Sequence, residues 1–345
     1  MDFFVLPRFL QVELTYACNS QCSFCYNPTH KGKLDKAALL RALEQVNSFE
    51  VRHVQLIGGE VTLLEPLPEY LAALNQVRRR SIVTNGRIFR PDIEGLIDEA
   101  YVSVHGDRRM HEWLTSEPGS YAVIEKTIDR YVSLGITVYS DTVLTKYNFD
   151  QVYEIAQHAK ELGMRGLFLN IFQPEGIGSK RPDFSPSLNQ IRLAITQMIR
   201  ARDELDFPMQ FGTSTPFCLD ERLITKQLAF RCGAGEWFGS ISPSGELRIC
   251  NHSTRSYGNI REDPLNRIWH LRDIDADYRN ASLDGVCAGC AFFSECRGGC
   301  RINEAGSYRV DPVVMRDEAQ LVPKPRLAEL RQTYEVSPFP LSCSA

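Results

Sequence analysis

Residues 9–25 read Phe9-Leu10-Gln11-Val12-Glu13-Leu14-Thr15-Tyr16-Ala17-Cys18-Asn19-Ser20-Gln21-Cys22-Ser23-Phe24-Cys25. Segment 9–15 is an apolar run that predicts a strand, and three cysteines follow at once, so the thiols fall on the first strand-to-helix loop. Similar runs recur at 53–57, 81–84, 101–105, 136–144 and 166–172, and stretches of helical period lie between and after them at 35–47, 66–79, 91–99, 120–134, 150–162 and 187–204. Six strand–helix units in alternation predict an α/β protein built on a parallel sheet, a partial (β/α)6 TIM-like barrel. In such a fold the chemistry sits at the C-terminal mouth of the strands, where this cysteine loop falls. Segment 176–186 reads as a loop.

Composition limits what surrounds that loop. A chain of 345 residues suggests about two domains. With 43% hydrophobic and 24% charged residues it is ordinary globular protein, and its net charge of −4 argues against a nucleic-acid partner. No apolar run reaches the ~18 residues of a membrane span, and Met1-Asp2-Phe3-Phe4 has no features of a secretory signal. Eleven cysteines are the anomaly. They fall at positions 18, 22 and 25, and then not until 218, 232, 250, 287, 290, 296, 300 and 343. Clustered thiols of this kind point to metal or catalysis in a reducing compartment, here the cytoplasm.

After about residue 206 strands shorten, and glycine and cysteine accumulate. Segment 241–248 predicts a hairpin turning at Pro243-Ser244-Gly245. Segment 287–300 has almost no aliphatic residues with which to build a core, so bound metal must hold it together. These shifts divide the chain into a partial barrel at 1–206, a small cysteine-rich, metal-held domain at 207–322, which the resemblance described below makes an iron–sulfur domain, and a tail at 323–345.

Three thiolates on one loop hold three irons of a [4Fe-4S] cube and leave the fourth open to a small chelator. The alternative is a Cys3His zinc site completed by His30. The next strand ends are Gly58-Gly59-Glu60, Thr84-Asn85-Gly86 and Ser103-Val104-His105-Gly106. Each places glycine or polar groups at the same mouth, as a ligand with amino, carboxylate and ribose groups requires.

On these residues the chain resembles the radical S-adenosylmethionine (SAM) superfamily. Cys18-x3-Cys22-x-Phe24-Cys25 is similar to its cluster loop, and Gly58-Gly59-Glu60-Val61 to its Gly-Gly-Glu-Pro motif with Val61 replacing proline. The resemblance implies that Cys18, Cys22 and Cys25 carry the cluster, and that SAM chelates the open iron. It implies that the Gly58-Gly59-Glu60 edge receives the amino group and Ser103 the ribose, with Phe24 in the cluster loop. Thr84 and Asn85, at their strand end, also stand about the cofactor, and Asn170 and Gln173 about its adenine or the substrate. One electron then cleaves SAM to a 5′-deoxyadenosyl radical, which abstracts hydrogen from substrate.

Cys232-x12-Gly245-x4-Cys250 followed by Cys287-x2-Cys290-x5-Cys296-x3-Cys300 resembles the SPASM extension of that superfamily. It implies two auxiliary [4Fe-4S] clusters, the first on Cys232, Cys250 and Cys300 with Cys218 as fourth ligand, the second on Cys287, Cys290 and Cys296. A pair of zinc knuckles is the alternative for this segment. The final cysteine of the family's Asp-Pro-x-Cys is absent, because this chain reads Asp311-Pro312-Val313-Val314. An open iron, Asp317 or Cys343 is left to complete the second set.

Asp141, a carboxylate inside the fifth strand, and His105, at the mouth, are the candidates for catalytic acid–base work. His111 shares that loop, Gln173 joins Asn170 at the end of the sixth strand, and the three tryptophans read as core or interface. The arginines Arg78-Arg79-Arg80 read as the C-terminal cap of a helix. The favoured function is oxidation, crosslinking or epimerisation of a peptide or protein residue. It would draw electrons from a flavodoxin or ferredoxin. Because the triplet begins at Cys18, with no leader-binding domain before it, a peptide would need a separate recognition protein or a long groove at the barrel mouth. The alternatives are dehydrogenation or epimerisation of a small aminosugar, cyclitol or nucleoside, and a non-enzymatic iron–sulfur or zinc protein.

Overall fold

The computed structural model describes residues 6–48, 51–271, 285–301, 314 and 316–336. Among these residues nine strands form one open sheet in the order β7-β6-β5-β4-β3-β2-β1-β8-β9. Strands β1 (Phe9–Thr15), β2 (His53–Gly58), β3 (Arg79–Thr84), β4 (Glu99–Ser103), β5 (Thr137–Leu144) and β6 (Gly166–Ile171) are the six expected from the sequence. All pair in parallel. Beyond β6 lies the short β7 (Met209–Phe211). At the opposite edge β8 (Phe238–Ile241) runs parallel to β1, with Phe9 beside Phe238 and Val12 beside Ile241, and β9 (Leu247–Arg248) closes the expected hairpin.

Helices α1 (Lys36–Asn47), α2 (Leu67–Ala72), α3 (Arg108–Thr115), α4 (Ser120–Ser133), α5 (Val152–Glu161) and α6 (Leu188–Leu205) fill the crossovers. Their starts are chemically specified. Asp35 accepts from the Ala38 N–H at 2.7 Å, Asp107 from the Met110 N–H at 2.8 Å, and Ser187 forms a capping box with Gln190. Two expected helices are shorter. Segment 91–99 yields a single turn, Pro91–Ile93, because Gly95 takes a left-handed φ of 71° and the chain then enters β4. Segment 66–79 stops at Ala72, and Arg79 and Arg80 belong to β3 instead of capping a helix. Their guanidinium groups are held there by Glu99 (3.3 Å) and Asp98 (3.4 Å).

Later come α7 (Arg222–Thr225), α8 (Leu265–Leu271), α9 (Phe293–Cys296) and α10 (Lys324–Thr333). Among the described residues the main hydrophobic core draws on positions from Leu6 to Val336, and α10, in the expected tail, contributes Leu327 and Leu330 to it. Among the described residues no helix is long and apolar enough to cross a membrane.

Candidate active site

The C-terminal ends of the strands converge on a cavity of about 370 Å³, lined by Cys18, Cys22 and Cys25 together with Gly58, Gly59, Asn85, Ser103 and Asp141. How the cysteine loop is held follows from two glycines. The Gly59 N–H donates to the Thr15 carbonyl at 2.6 Å and the Glu60 N–H to the Ala17 carbonyl at 2.9 Å. A Cβ at Gly59 would lie 2.2 Å from the Ala17 oxygen, so only glycine lets the two loops approach. Gly58 has a φ of 144°, and its carbonyl accepts from Asn27 Nδ2 at 3.1 Å. Asn85 Nδ2 reaches Asn19 Oδ1 at 2.7 Å and Cys18 Sγ at 3.8 Å, fixing the loop from the β3 side.

Glu60 sits behind this wall, fully buried, and does not line the cavity. Its Oε1 accepts from the Thr62 N–H (3.0 Å), Thr62 Oγ1 (2.7 Å) and Thr84 Oγ1 (2.8 Å), and its Oε2 accepts from the Asn85 N–H (2.7 Å). Its carboxylate ties the end of β2 to the end of β3. Thr84 borders the cavity and carries this bond at its rear.

Across β4, β5 and β6 the cavity wall sets the polar Ser103, Asp141 and Asn170 among apolar side chains such as Val143 and Phe168. Ser103 pairs in register with Asp141, and Asp141 Oδ1 accepts from Asn170 Nδ2 at 2.6 Å. Burial pushes the Asp141 carboxyl up to about 6 against the pull of Asn170. His105 Nδ1 accepts from the Val143 N–H and the His105 N–H donates to His111 Nδ1, both at 3.2 Å. Burial holds the His105 pKa well below the ordinary histidine value and puts that of His111 at about 4. Both rings are therefore neutral at pH 7, and their accepting Nδ1 atoms leave the proton on Nε2. His111 lies on α3, a helix the sequence reading passed over as loop. Phe24 meets His105 edge to face, with ring centroids 4.8 Å apart.

The far wall comes from the C-terminal third, with Cys232, Cys250 and Cys300 on the same cavity. Trp237, expected in core or interface, lines it too, its indole lying over Gly233, where a Cβ would be 2.0 Å from the ring. The other thiols occupy a second cavity of about 200 Å³, and Cys218 is there with Cys287, Cys290 and Cys296. The structure thus separates Cys218 from Cys232, Cys250 and Cys300, the set it was expected to join. Asp317 does not line that cavity, Val314 does, and Cys343 lies outside the described residues.

Sequence reasoning missed a buried ionic network that reaches the cavity at His252. Glu13, central in β1, pairs with Arg248 of β9, which also donates to Tyr16 Oη at 3.2 Å. Burial raises the Glu13 carboxyl to about 7, with Arg248 opposing. His252 Nδ1 lies 2.7 Å from Glu175 Oε2. Burial lowers the His252 pKa, but Glu175 and then Glu13 outweigh it, so the net shift is upward. The reasoning that singled out Asp141, a carboxylate inside a buried strand, applies equally to Glu13.

The donor chemistry fits iron–sulfur clusters. Thiolates are soft donors suited to them. Burial and then the neighbouring thiols hold Cys22 far above the ordinary thiol range, and burial puts Cys25 at about 11. Nearby iron cations reverse that preference. Among the described residues no three His, Cys, Asp or Glu side chains converge on a single metal ion. The spread of a cube of four irons does not need them to.

The radical SAM superfamily pattern matches residues 12–159, and an iron–sulfur cluster-binding domain, SPASM, matches residues 232–291. The chain is 26% identical over 317 residues to the mycofactocin maturase MftC of Mycolicibacterium smegmatis, covering 85% of this chain and 78% of the relative. It is 25% identical over 316 residues to the PqqA peptide cyclase of Methylobacterium sp. strain 4-46, covering 86% and 81%. Its fold is shared with SuiB of Streptococcus suis, solved with its precursor peptide SuiA, at a TM-score of 0.71 and 17% identity over 89% of this chain and 76% of SuiB. The chain therefore belongs to the radical SAM superfamily, as an enzyme with a SPASM domain whose cofactors are SAM and [4Fe-4S] clusters.

Proposed function

We propose that this enzyme modifies a residue of a precursor peptide, by oxidation, crosslinking or epimerisation. The observation that carries the reading is the shared cavity. The Cys18-Cys22-Cys25 loop and the Cys232-Cys250-Cys300 set face one space, so a substrate between them touches both. The names of two relatives aligned across both halves, a maturase and a peptide cyclase, supply the substrate class.

In this reading the chain's work is binding, orientation and exclusion of water. When bound, the cofactors supply one-electron cleavage of SAM and abstraction of a substrate hydrogen atom. Cys18, Cys22 and Cys25 hold the cluster, and the Gly58-Gly59 edge offers close backbone to the amino group. Glu60 keeps that edge in place from behind. Ser103, Asn85 and Asn170 orient the ribose and adenine ends. Asp141 holds or accepts a proton at Oδ2, since Oδ1 is engaged by Asn170. His105, neutral with its Nδ1 engaged, positions β5 and Phe24. We assign electron delivery to a flavodoxin or ferredoxin, presentation of the peptide to a separate recognition protein, and the site of action to the cytoplasm. The SAM chemistry falls to residues 1–206 and the auxiliary iron to 207–322.

Deuterium placed at the reacting carbon of a precursor peptide encoded beside this enzyme tests the substrate class. The expected result is transfer of label into 5′-deoxyadenosine with one turnover. Transfer from a sugar, cyclitol or nucleoside, and from no encoded peptide, overturns it.

A further inference from the structure

We propose that Cys218 is the fourth ligand of the auxiliary cluster held by Cys287, Cys290 and Cys296, replacing the final cysteine that this chain lacks. The inference deepens the reading above and rests on it for the presence of two auxiliary clusters.

Position 314 is where the final cysteine would stand, and it is Val314. Val314 is fully buried and lines the second cavity, so that place in the fold is occupied, but by a side chain that cannot ligate iron. The same cavity is bordered by Cys218, which lies 14 residues ahead of the matched SPASM segment. The turn Phe217–Leu219 brings it in. The Phe217 N–H donates to Cys296 Sγ at 3.4 Å, and the Val322 N–H donates to the Cys218 carbonyl at 2.8 Å, so the turn is fastened on both sides. Neither Cys232, Cys250 nor Cys300 borders this cavity. Of the groups present, Glu318 also reaches the lining, but a soft thiolate is the better match to iron–sulfur chemistry than a carboxylate. Four thiolates in a pocket walled by Phe217, Phe292 and Leu327 make a closed cluster suited to holding the fold and passing electrons. The set on the main cavity keeps Cys232, Cys250 and Cys300.

The test starts from a parent in which Cys18, Cys22, Cys25, Cys232 and Cys250 are alanine, reconstituted anaerobically with iron and sulfide. It should retain about four irons per chain. Adding Cys218→Ser, which nearly preserves the side-chain volume, should reduce this to about three or fewer and change the Mössbauer and EPR spectra, with far-UV circular dichroism unchanged. Adding Val314→Cys to that variant should restore four irons, because position 314 faces the same cavity. Glu318→Gln should leave the iron count alone. Retention of four irons and an unchanged spectrum after Cys218→Ser overturns the inference, as does iron loss caused by Glu318→Gln alone. A parent that holds no iron overturns both this inference and the two-cluster reading beneath it.

Discussion

Asp141 shows how one side chain carries both a cost and a use. It stands on a strand in a sheet whose remaining cavity-facing groups are mostly neutral, and a single amide, that of Asn170, supports it at 2.6 Å. Burial raises its carboxyl from 3.8 to about 6. In the unfolded chain it ionises near 4. Below that pH both states carry the proton and the residue makes no difference. Between about 4 and 6 the unfolded state ionises first, so stability falls as pH rises, and above about 6 the penalty is constant. Asp141→Asn keeps the acceptor for Asn170 and cannot ionise. Its melting temperature, measured against the parent from pH 4 to pH 8, should rise relative to the parent across that window and then level off. The gain should be worth roughly 1–3 kcal/mol once the water admitted by the cavity is allowed for. A difference that does not vary with pH would show that Asp141 is not the group that titrates. Glu60 shows the opposite arrangement, a buried carboxylate with four donors around it, and its place is structural for that reason.

At the scale of elements, what was legible in the sequence was what repeats or what is chemically rare. All six strands β1–β6 and four of the six helices were readable because apolar runs and 3.6-residue periods survive burial on a parallel sheet. The cysteine loop was readable because thiols at that spacing have few other uses. Helix α3 was not, because its residues Arg108 to Thr115 are largely polar and its start is signalled only by the Asp107 cap. The grouping of Cys218 was not, because sequence order says nothing of which cavity a turn enters. Nor was the role of Glu60, which reads as a ligand residue until its four donors are seen to lie inside. The loop-to-loop contact makes a sharp prediction. Gly59→Ala drives a Cβ to within 2.2 Å of the Ala17 oxygen, and backbone must shift to relieve it. The cysteine loop should separate from the end of β2. Iron at Cys18, Cys22 and Cys25 should become labile and SAM binding should weaken by tenfold or more, while auxiliary iron stays in place. Iron counting and equilibrium dialysis with SAM check this, and unchanged SAM affinity would refute it.

Across the whole molecule the sheet disregards the division suggested by composition. The edge of the six-strand unit at β6 is covered by β7, and its other edge at β1 is covered by β8. Both covering strands come from beyond residue 206. The ion pair of Glu13 with Arg248 crosses the same seam, joining β1 to β9. Removing the C-terminal part therefore strips partners from both edges at once and leaves Glu13 buried or newly wetted without its cation. Exposed parallel edges of apolar strands are templates for aggregation. A fragment ending at residue 206 should accordingly be mostly insoluble, and whatever remains in solution should melt well below the full chain. An intermediate fragment ending after β9, at residue 260, restores both edges and the Glu13–Arg248 pair without Cys287, Cys290, Cys296 or Cys300. It should recover solubility, and it should bind iron at Cys18, Cys22 and Cys25 once reconstituted. Sedimentation and thermal melts of the two fragments decide the matter. Equal behaviour of the two would mean that the sheet edges are protected by something other than β7 and β8.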